Sequence, residues 1–312
     1  MALVDGAILL VLAALWGASF LFIRVAVPGL GPVALIEARV GVAGLGLLAV
    51  ALLVRRLPDV RRDWRGFLLL GGLSAAVPFT LIAAAELRLT ASLAAILNAT
   101  TPLFTLLISA VRLREGLSAR RLAGVLLGLA GVAVLVGLGP LRLGGALILA
   151  TGESLLAALF YALGGVYAKT RFAHAPALVT ATGQQLGAAV LLIIPTLALP
   201  PARSPDSGVI LAVLALALAC TAVGFGLFYR LVHRVGPTGA LSVTFLVPLF
   251  GLLWGAVFLH EPLTWSTPAG LVLVLAAVAF VTDIRLPGQT RSSSPAAAPT
   301  GTSINDQNEA GP

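Results

Sequence analysis

Pro102-Leu103-Phe104, Glu115-Gly116-Leu117 and Gly124 return as Pro248-Leu249-Phe250, Glu261-Pro262-Leu263 and Gly270, each 146 positions further on. The stretch that holds them, residues 89–135, lies without a gap on residues 235–281, and 18 of the 47 pairs are identical. Both copies are apolar, so many of the Leu, Val and Ala matches carry little weight. The Pro, Glu and Gly pairs carry the argument. A repeat inside a hydrophobic chain is the mark of a membrane transporter built from two related halves.

Composition points the same way. The 312 residues are 59% hydrophobic and 10% charged, with a mean hydropathy of +1.05. Soluble domains carry about 25% charged residues, whereas each membrane span needs about 20 apolar residues to cross about 30 Å of hydrocarbon. A single cysteine, Cys220, excludes a disulfide framework and a cysteine metal site. His174, His233 and His260 have no ligand spacing, so neither a metal nor a cofactor is expected. The net charge of +8 sits between the hydrophobic runs, where it sets topology and does not imply a nucleic-acid partner. The Arg, Ala, Leu and Gly bias suggests a GC-rich bacterial genome, and hence a bacterial inner membrane.

The hydrophobic pattern predicts an all-α polytopic membrane protein with ten helices, at 6–26, 33–54, 66–87, 92–112, 119–138, 144–168, 178–198, 208–231, 239–259 and 265–283. The first lacks a basic leader and precedes nine more spans, so it reads as an uncleaved helix. From Arg285 the chain is Pro-, Ser- and Ala-rich and is expected to be a disordered cytoplasmic tail. With the N-terminus in the cytoplasm, 15 Lys and Arg fall on inside segments and only Arg88, Arg142 and Arg203 fall outside. The positive-inside rule then puts both termini in the cytoplasm. Five helices per half is odd, so the second half must be inverted, and the charges agree. The loop after the fourth helix carries Arg112, Arg114, Arg120 and Arg121, while its counterpart after the ninth carries none. The expected organisation is therefore two inverted five-helix repeats, 1–140 and 141–284, followed by the tail, 285–312.

With these features the chain resembles the EamA-type drug/metabolite transporter superfamily. Trp16-Gly17-Ala18-Ser19-Phe20 is similar to that family's Trp-Gly-Ser-Asn-Phe type signature, with Ser19 where Asn is common. The Pro-Leu-Phe, Glu-x-Leu and Gly pattern closing each half is also family-like, and the resemblance covers residues 6–283. It implies transport of a small metabolite, most often export, through a cavity between the halves lined by the first, third, fourth, sixth, eighth and ninth helices.

Ionisable groups within spans are functional candidates by default. Glu153 sits about 13 Å into the sixth helix, with Tyr161 on its face. It could bind a cationic group or carry a proton, or be a carboxylate bonded to a neighbouring helix for structure. The family pattern has no common acid there. Arg24 and Glu37 lie at matching depth on either side of the Pro28–Pro32 turn. Together with Arg39 they read either as an ion pair fixing the hairpin or as an outer gate or anion contact. Asn98, Thr101, Thr105 and Ser109 form a polar stripe. Asn98 and Thr101 are candidates for substrate contact. Thr105 and Ser109, which align with Gly251 and Gly255, read as packing. Gly124 and Gly128 read likewise, or as the face of a homodimer. Pro78, Pro102 and Pro248 predict kinks that act as hinges, wall or architecture. Gln184 and Gln185 need partners in lipid. Glu115 and Glu261 are expected to cap the helix that follows each, or to hold loop arginines.

No P-loop, zinc-protease motif or activated nucleophile is found, so an enzyme is not expected. The reading is a secondary transporter of the inner membrane. It would export amino acids, amines or drug-like compounds by alternating access, with protons as a coupling partner and Glu153 as their carrier. Trp16, Phe20, Phe79, Tyr161 and Phe225 would form an aromatic wall, with Ser19, Asn98, Thr101 and Thr244 as polar contacts. The alternatives are an uncoupled facilitator or importer, and a non-transporting membrane scaffold or accessory subunit.

Overall fold

A chain in hydrocarbon must satisfy its own backbone hydrogen bonds, and long apolar segments do so as helices. The computed structural model describes residues 3–113, 118–138, 144–201 and 204–281, and every regular element among them is helical. The expected tail and Glu115 lie outside the described residues.

The elements are α1 (Leu3–Leu30), α2 (Pro32–Leu53), α3 (Val60–Gly71), the π-helical segment π1 (Gly72–Ala76), α4 (Val77–Ala85), α5 (Ala91–Asn98), α6 (Thr101–Leu113), α7 (Ala119–Gly137) and α8 (Gly145–Arg171). There follow α9 (Ala177–Ala198), α10 (Ser207–Leu214), the π-helical segment π2 (Ala215–Val223), α11 (Gly224–Leu241), α12 (Val243–Leu259) and α13 (Ser266–Val281). Among the described residues eight helical stretches are long and apolar enough to cross a bilayer, and α12 and α13 are shorter apolar helices. Outward side chains such as Ile194 and Leu197, each 77% exposed, give the bundle an apolar surface. The protein is a multi-pass membrane protein.

The helices depart from the expected ones where the sequence bends the backbone. The expected 66–87 helix widens into π1 just before Pro78, whose ring cannot fit a regular turn. The expected 208–231 helix widens into π2 just before Gly224, and Pro78 and Gly224 are 146 residues apart. The expected 92–112 helix breaks at Ala99–Thr100, so Pro102 opens α6. Thr100 and Thr101 donate to the Leu97 and Asn98 carbonyls at 2.7 and 2.8 Å across that break. Gly31 (φ 74°) makes the α1–α2 turn, and Gly236 (φ 79°) breaks α11; both need the left-handed backbone that glycine tolerates.

Packing pairs the helices in matching sets. α1 packs on α12 and on π2–α11, while α8 packs on α5–α6 and on π1–α4. α2 packs on α9 and on π2, while α9 packs on α3 and π1; α5 meets α12, and α7 meets α13. Glycines set the close approaches. Gly17 of α1 lies against Phe250 and Gly251 of α12, and Gly251 lies against Ala95. Gly124 and Gly128 are buried against Ala277, Val281 and Leu103. That stripe is therefore not a free face for a second copy: its own α13 fills it.

Candidate functional site

The α12 C-terminus is the first place where two distant segments are chemically joined. His260 takes the left-handed conformation (φ 53°), and Glu261 N–H closes back on the Gly255 carbonyl at 3.1 Å. This turn carries the Glu261 carboxylate to the start of α5. Oε1 accepts from Ala91 N at 2.7 Å; Oε2 accepts from Ser92 N at 3.0 Å and from Ser92 Oγ at 2.5 Å. A carboxylate on free N–H groups at the positive end of a helix is a strong cap. Glu261 thus caps a helix, as expected of it, but α5 and not the following α13: the left-handed turn aims it backwards.

Deeper in the bundle, five elements converge on Arg39 of α2. Its side chain is only 5% exposed. Nε donates to Thr221 Oγ1 at 3.1 Å, and the guanidinium carbon lies 3.7 Å from the centre of the Phe79 ring of α4. Phe79 meets Tyr161 of α8 edge-on, with ring centres 5.9 Å apart. Thr221 lies in π2, and its hydroxyl donates to the Leu216 carbonyl at 2.8 Å, five residues back. The wide π turn thus fixes the hydroxyl that Arg39 uses. Cys220, adjacent in sequence, is buried, and Ser19 of α1 lies beside its thiol. One helical turn away, Trp16 packs on Phe225 and Phe228 at 6.2 and 5.4 Å between ring centres. Gly224 leaves room for the indole, since a Cβ there would strike it.

The structure thus brings together Ser19, Arg39, Phe79 and Tyr161, with Trp16 and Phe225 beside them. It does not bring all the expected residues to one place. Phe20 is buried in the same apolar cluster as Phe79, on the side of Gly251 of α12. Asn98 and Thr101 sit at the α5–α6 break; Thr101 bonds the Asn98 carbonyl, and Asn98 Oδ1 is buried without a hydrogen-bond partner. Thr244 is half-buried near the start of α12. Glu153 faces Arg88, Oε2 to Nη1, at 3.9 Å. The expected Arg24–Glu37 pair does not form. Arg24 donates instead to the Glu86 main-chain carbonyl, and Glu37 Oε2 has no hydrogen-bond partner. α1 runs on through Pro28 to Leu30, so the turn is shorter than the Pro28–Pro32 pattern suggests. Of the two glutamines, Gln184 donates to the Ser74 carbonyl at 3.5 Å, while Gln185 is fully buried with neither amide atom bonded.

Sequence reading missed four residues. Thr221 and Cys220 carry no charge and sit in an apolar run, so nothing marked them. Glu86, fully buried with both carboxylate oxygens unbonded, was hidden by its place at a helix end. Its i+7 spacing from Phe79, which puts both on one helical face, was the available signal. Asp5, only 6% exposed and bonded to Arg234, was likewise passed over at the chain start.

A bundle of apolar helices enclosing charge and aromatic rings is the build of a membrane transporter. The chain belongs to the EamA-like transporter family, which it matches twice, over residues 5–137 and 146–283. It is 29% identical over 291 residues to a Salmonella typhimurium protein named "Probable amino-acid metabolite efflux pump", covering 88% of this chain and 93% of that one. It is 29% identical over 276 residues to the Escherichia coli "Uncharacterized inner membrane transporter YedA", covering 86% and 87%. It is 28% identical over 276 residues to "Protein PecM" of Dickeya dadantii, covering 87% and 90%. A solved structure titled "Crystal structure of protein" shares the fold, with a TM-score of 0.63 at 22% identity over 89% of this chain and 96% of that one.

Proposed function

We propose that this chain is a secondary exporter of amino acids and related amines in a bacterial inner membrane. Two inverted five-helix halves rock about a central site by alternating access. The carrying observation is that the buried site draws on both matched segments: Ser19, Arg39 and Phe79 come from one, Tyr161 and Thr221 from the other. A relative motion of the halves remakes the contacts that cross between them, Arg39 to Thr221 and Phe79 to Tyr161. The matched pairings of α1 with α12 and α8 with α5–α6 support the same reading. So do two π-helical segments that each precede the position of Pro78 or its counterpart Gly224. Both termini lie in the cytoplasm, and Glu153, facing Arg88, is the carboxylate assigned to the coupling proton.

The test is the composition of the culture medium. Cells expressing the chain are compared with cells carrying an empty vector, at matched growth. Accumulation of defined amino acids or amines outside the expressing cells is the expected result. Identical media, together with a co-purifying membrane partner, would overturn the exporter reading in favour of a scaffold.

A further inference from the structure

We propose that Arg39 is the anion anchor of the transport site, and that its free guanidinium edge takes the carboxylate of an amino acid whose side chain lies on the Phe79–Tyr161 wall. The inference rests on the exporter reading and deepens it. Burying a guanidinium among apolar helices is costly unless it is paired. Arg39 is only 5% exposed, yet among the described residues no carboxylate reaches it as an ion pair. An arginine has five N–H donors. Only Nε is used, on Thr221 at 3.1 Å, and neither terminal nitrogen has a hydrogen-bond partner among the described residues. The carboxylate within reach of its charge is Glu86, whose own oxygens are both unbonded.

The rest of the geometry suits a carboxylate. Thr221 and the Phe79 ring hold one edge and one face of the planar group, so the other edge has a defined direction. A planar fork with two parallel donors matches two carboxylate oxygens. A phosphate ester would call for further basic groups, and Arg24 is already engaged on the Glu86 carbonyl. The neighbouring surfaces are aromatic: Phe79 and Tyr161 meet edge-on, and Trp16 packs edge-on against Phe225 and tilted against Phe228, one turn from Ser19. Aromatic and branched side chains fit such walls.

The test uses the purified full chain and four probes with the same ring: phenylalanine, hydrocinnamate, phenylalaninamide and phenethylamine. Binding is read by titration of tryptophan fluorescence, and flux by counterflow in proteoliposomes. Phenylalanine and hydrocinnamate are expected to bind. The amide and the amine, which lack the carboxylate, are expected to bind about 30-fold more weakly or not at all. Arg39→Lys should weaken phenylalanine binding by about the same factor, and Arg39→Gln should abolish it. The wild-type preference for acid over amide needs no variant to fold. Equal binding of acid, amide and amine overturns the anchor, as does unchanged phenylalanine binding by Arg39→Lys or Arg39→Gln. Phenylalanine flux that survives Arg39→Gln overturns the anchor and leaves the exporter standing. Absence of binding and flux for all four probes overturns the anchor and the amino-acid substrate class together.

Discussion

Arg88 and Arg234 stand 146 residues apart, and each faces a carboxylate on the first helix of the other matched segment. Arg234 donates through Nε to Asp5 Oδ1 of α1 in direct contact, and Asp5 is 6% exposed. Arg88 faces Glu153 of α8 at 3.9 Å, too far for a hydrogen bond, and Glu153 Oε2 has no hydrogen-bond partner. Equivalent arginines therefore do unequal work. One end is held by a charge-assisted hydrogen bond; the other feels only attraction across a gap. On the proposed topology the held end is cytoplasmic and the loose end faces outward. A repeat thus fixes which residues meet, while the state of the bundle fixes how tightly.

The largest expected effect comes from making the two segments alike where they differ in backbone approach. Gly71 of α3 has Ala217 as its counterpart 146 residues on. A Cβ on Gly71 would run into main-chain atoms of α9 at Gln184, Gly187 and Ala188. Main chain cannot move aside as a flexible side chain can, so Gly71→Ala should cost about 3 kcal/mol. Ala217→Gly removes a buried methyl and adds backbone freedom, for a loss of about 1 kcal/mol. Thermal unfolding of the detergent-solubilised variants measures both. Equal losses would mean that α3 and α10–π2 approach their neighbours alike, and the asymmetry argued here would fail.

Next in size is the held ion pair. Asp5→Asn leaves Arg234 without its anion and should destabilise the protein by about 2 kcal/mol. The Arg234 side chain is 42% exposed, so water softens the loss. A double-mutant cycle separates the two pairs. Coupling between Asp5 and Arg234 should exceed about 1 kcal/mol, and that between Glu153 and Arg88 should stay below about 0.5 kcal/mol. Coupling of equal size at both ends would mean that the two pairs are held alike.

The reach of the sequence follows the same division. Hydropathy and the repeated Pro, Glu and Gly pairs made the all-helical membrane fold readable, because long apolar runs admit one backbone solution in lipid. Trp16, Ser19, Arg39, Phe79 and Tyr161 were readable as candidates because charge, ring and signature residues stand out in an apolar chain. What stayed hidden depends on direction and not on composition. Glu261 reaches α5 because His260 turns the chain left-handed, and no spacing rule announces that. The π turn that aims Thr221 at Arg39 leaves no mark in a run of Ala and Leu. Arg24 and Glu37 stand at similar spacing from the turn, but spacing alone does not set azimuth about two helix axes.

The smallest effect on stability should carry the largest mechanistic weight. Glu153→Gln removes a charge that touches its partner only at 3.9 Å, so unfolding should shift by less than about 0.5 kcal/mol. Transport is where the change should show. If Glu153 carries the coupling proton, wild-type counterflow responds to an imposed pH gradient and Glu153→Gln runs at one residual rate whatever the gradient. Arg88→Gln is the control that separates the two roles of the pair. It breaks the same contact but leaves the carboxylate, so it should keep the gradient response while altering the rate. A Glu153→Gln protein that keeps the full response would assign this end of the molecule to structure alone. The loose pair would then be a weak copy of Asp5–Arg234 and no part of the coupling.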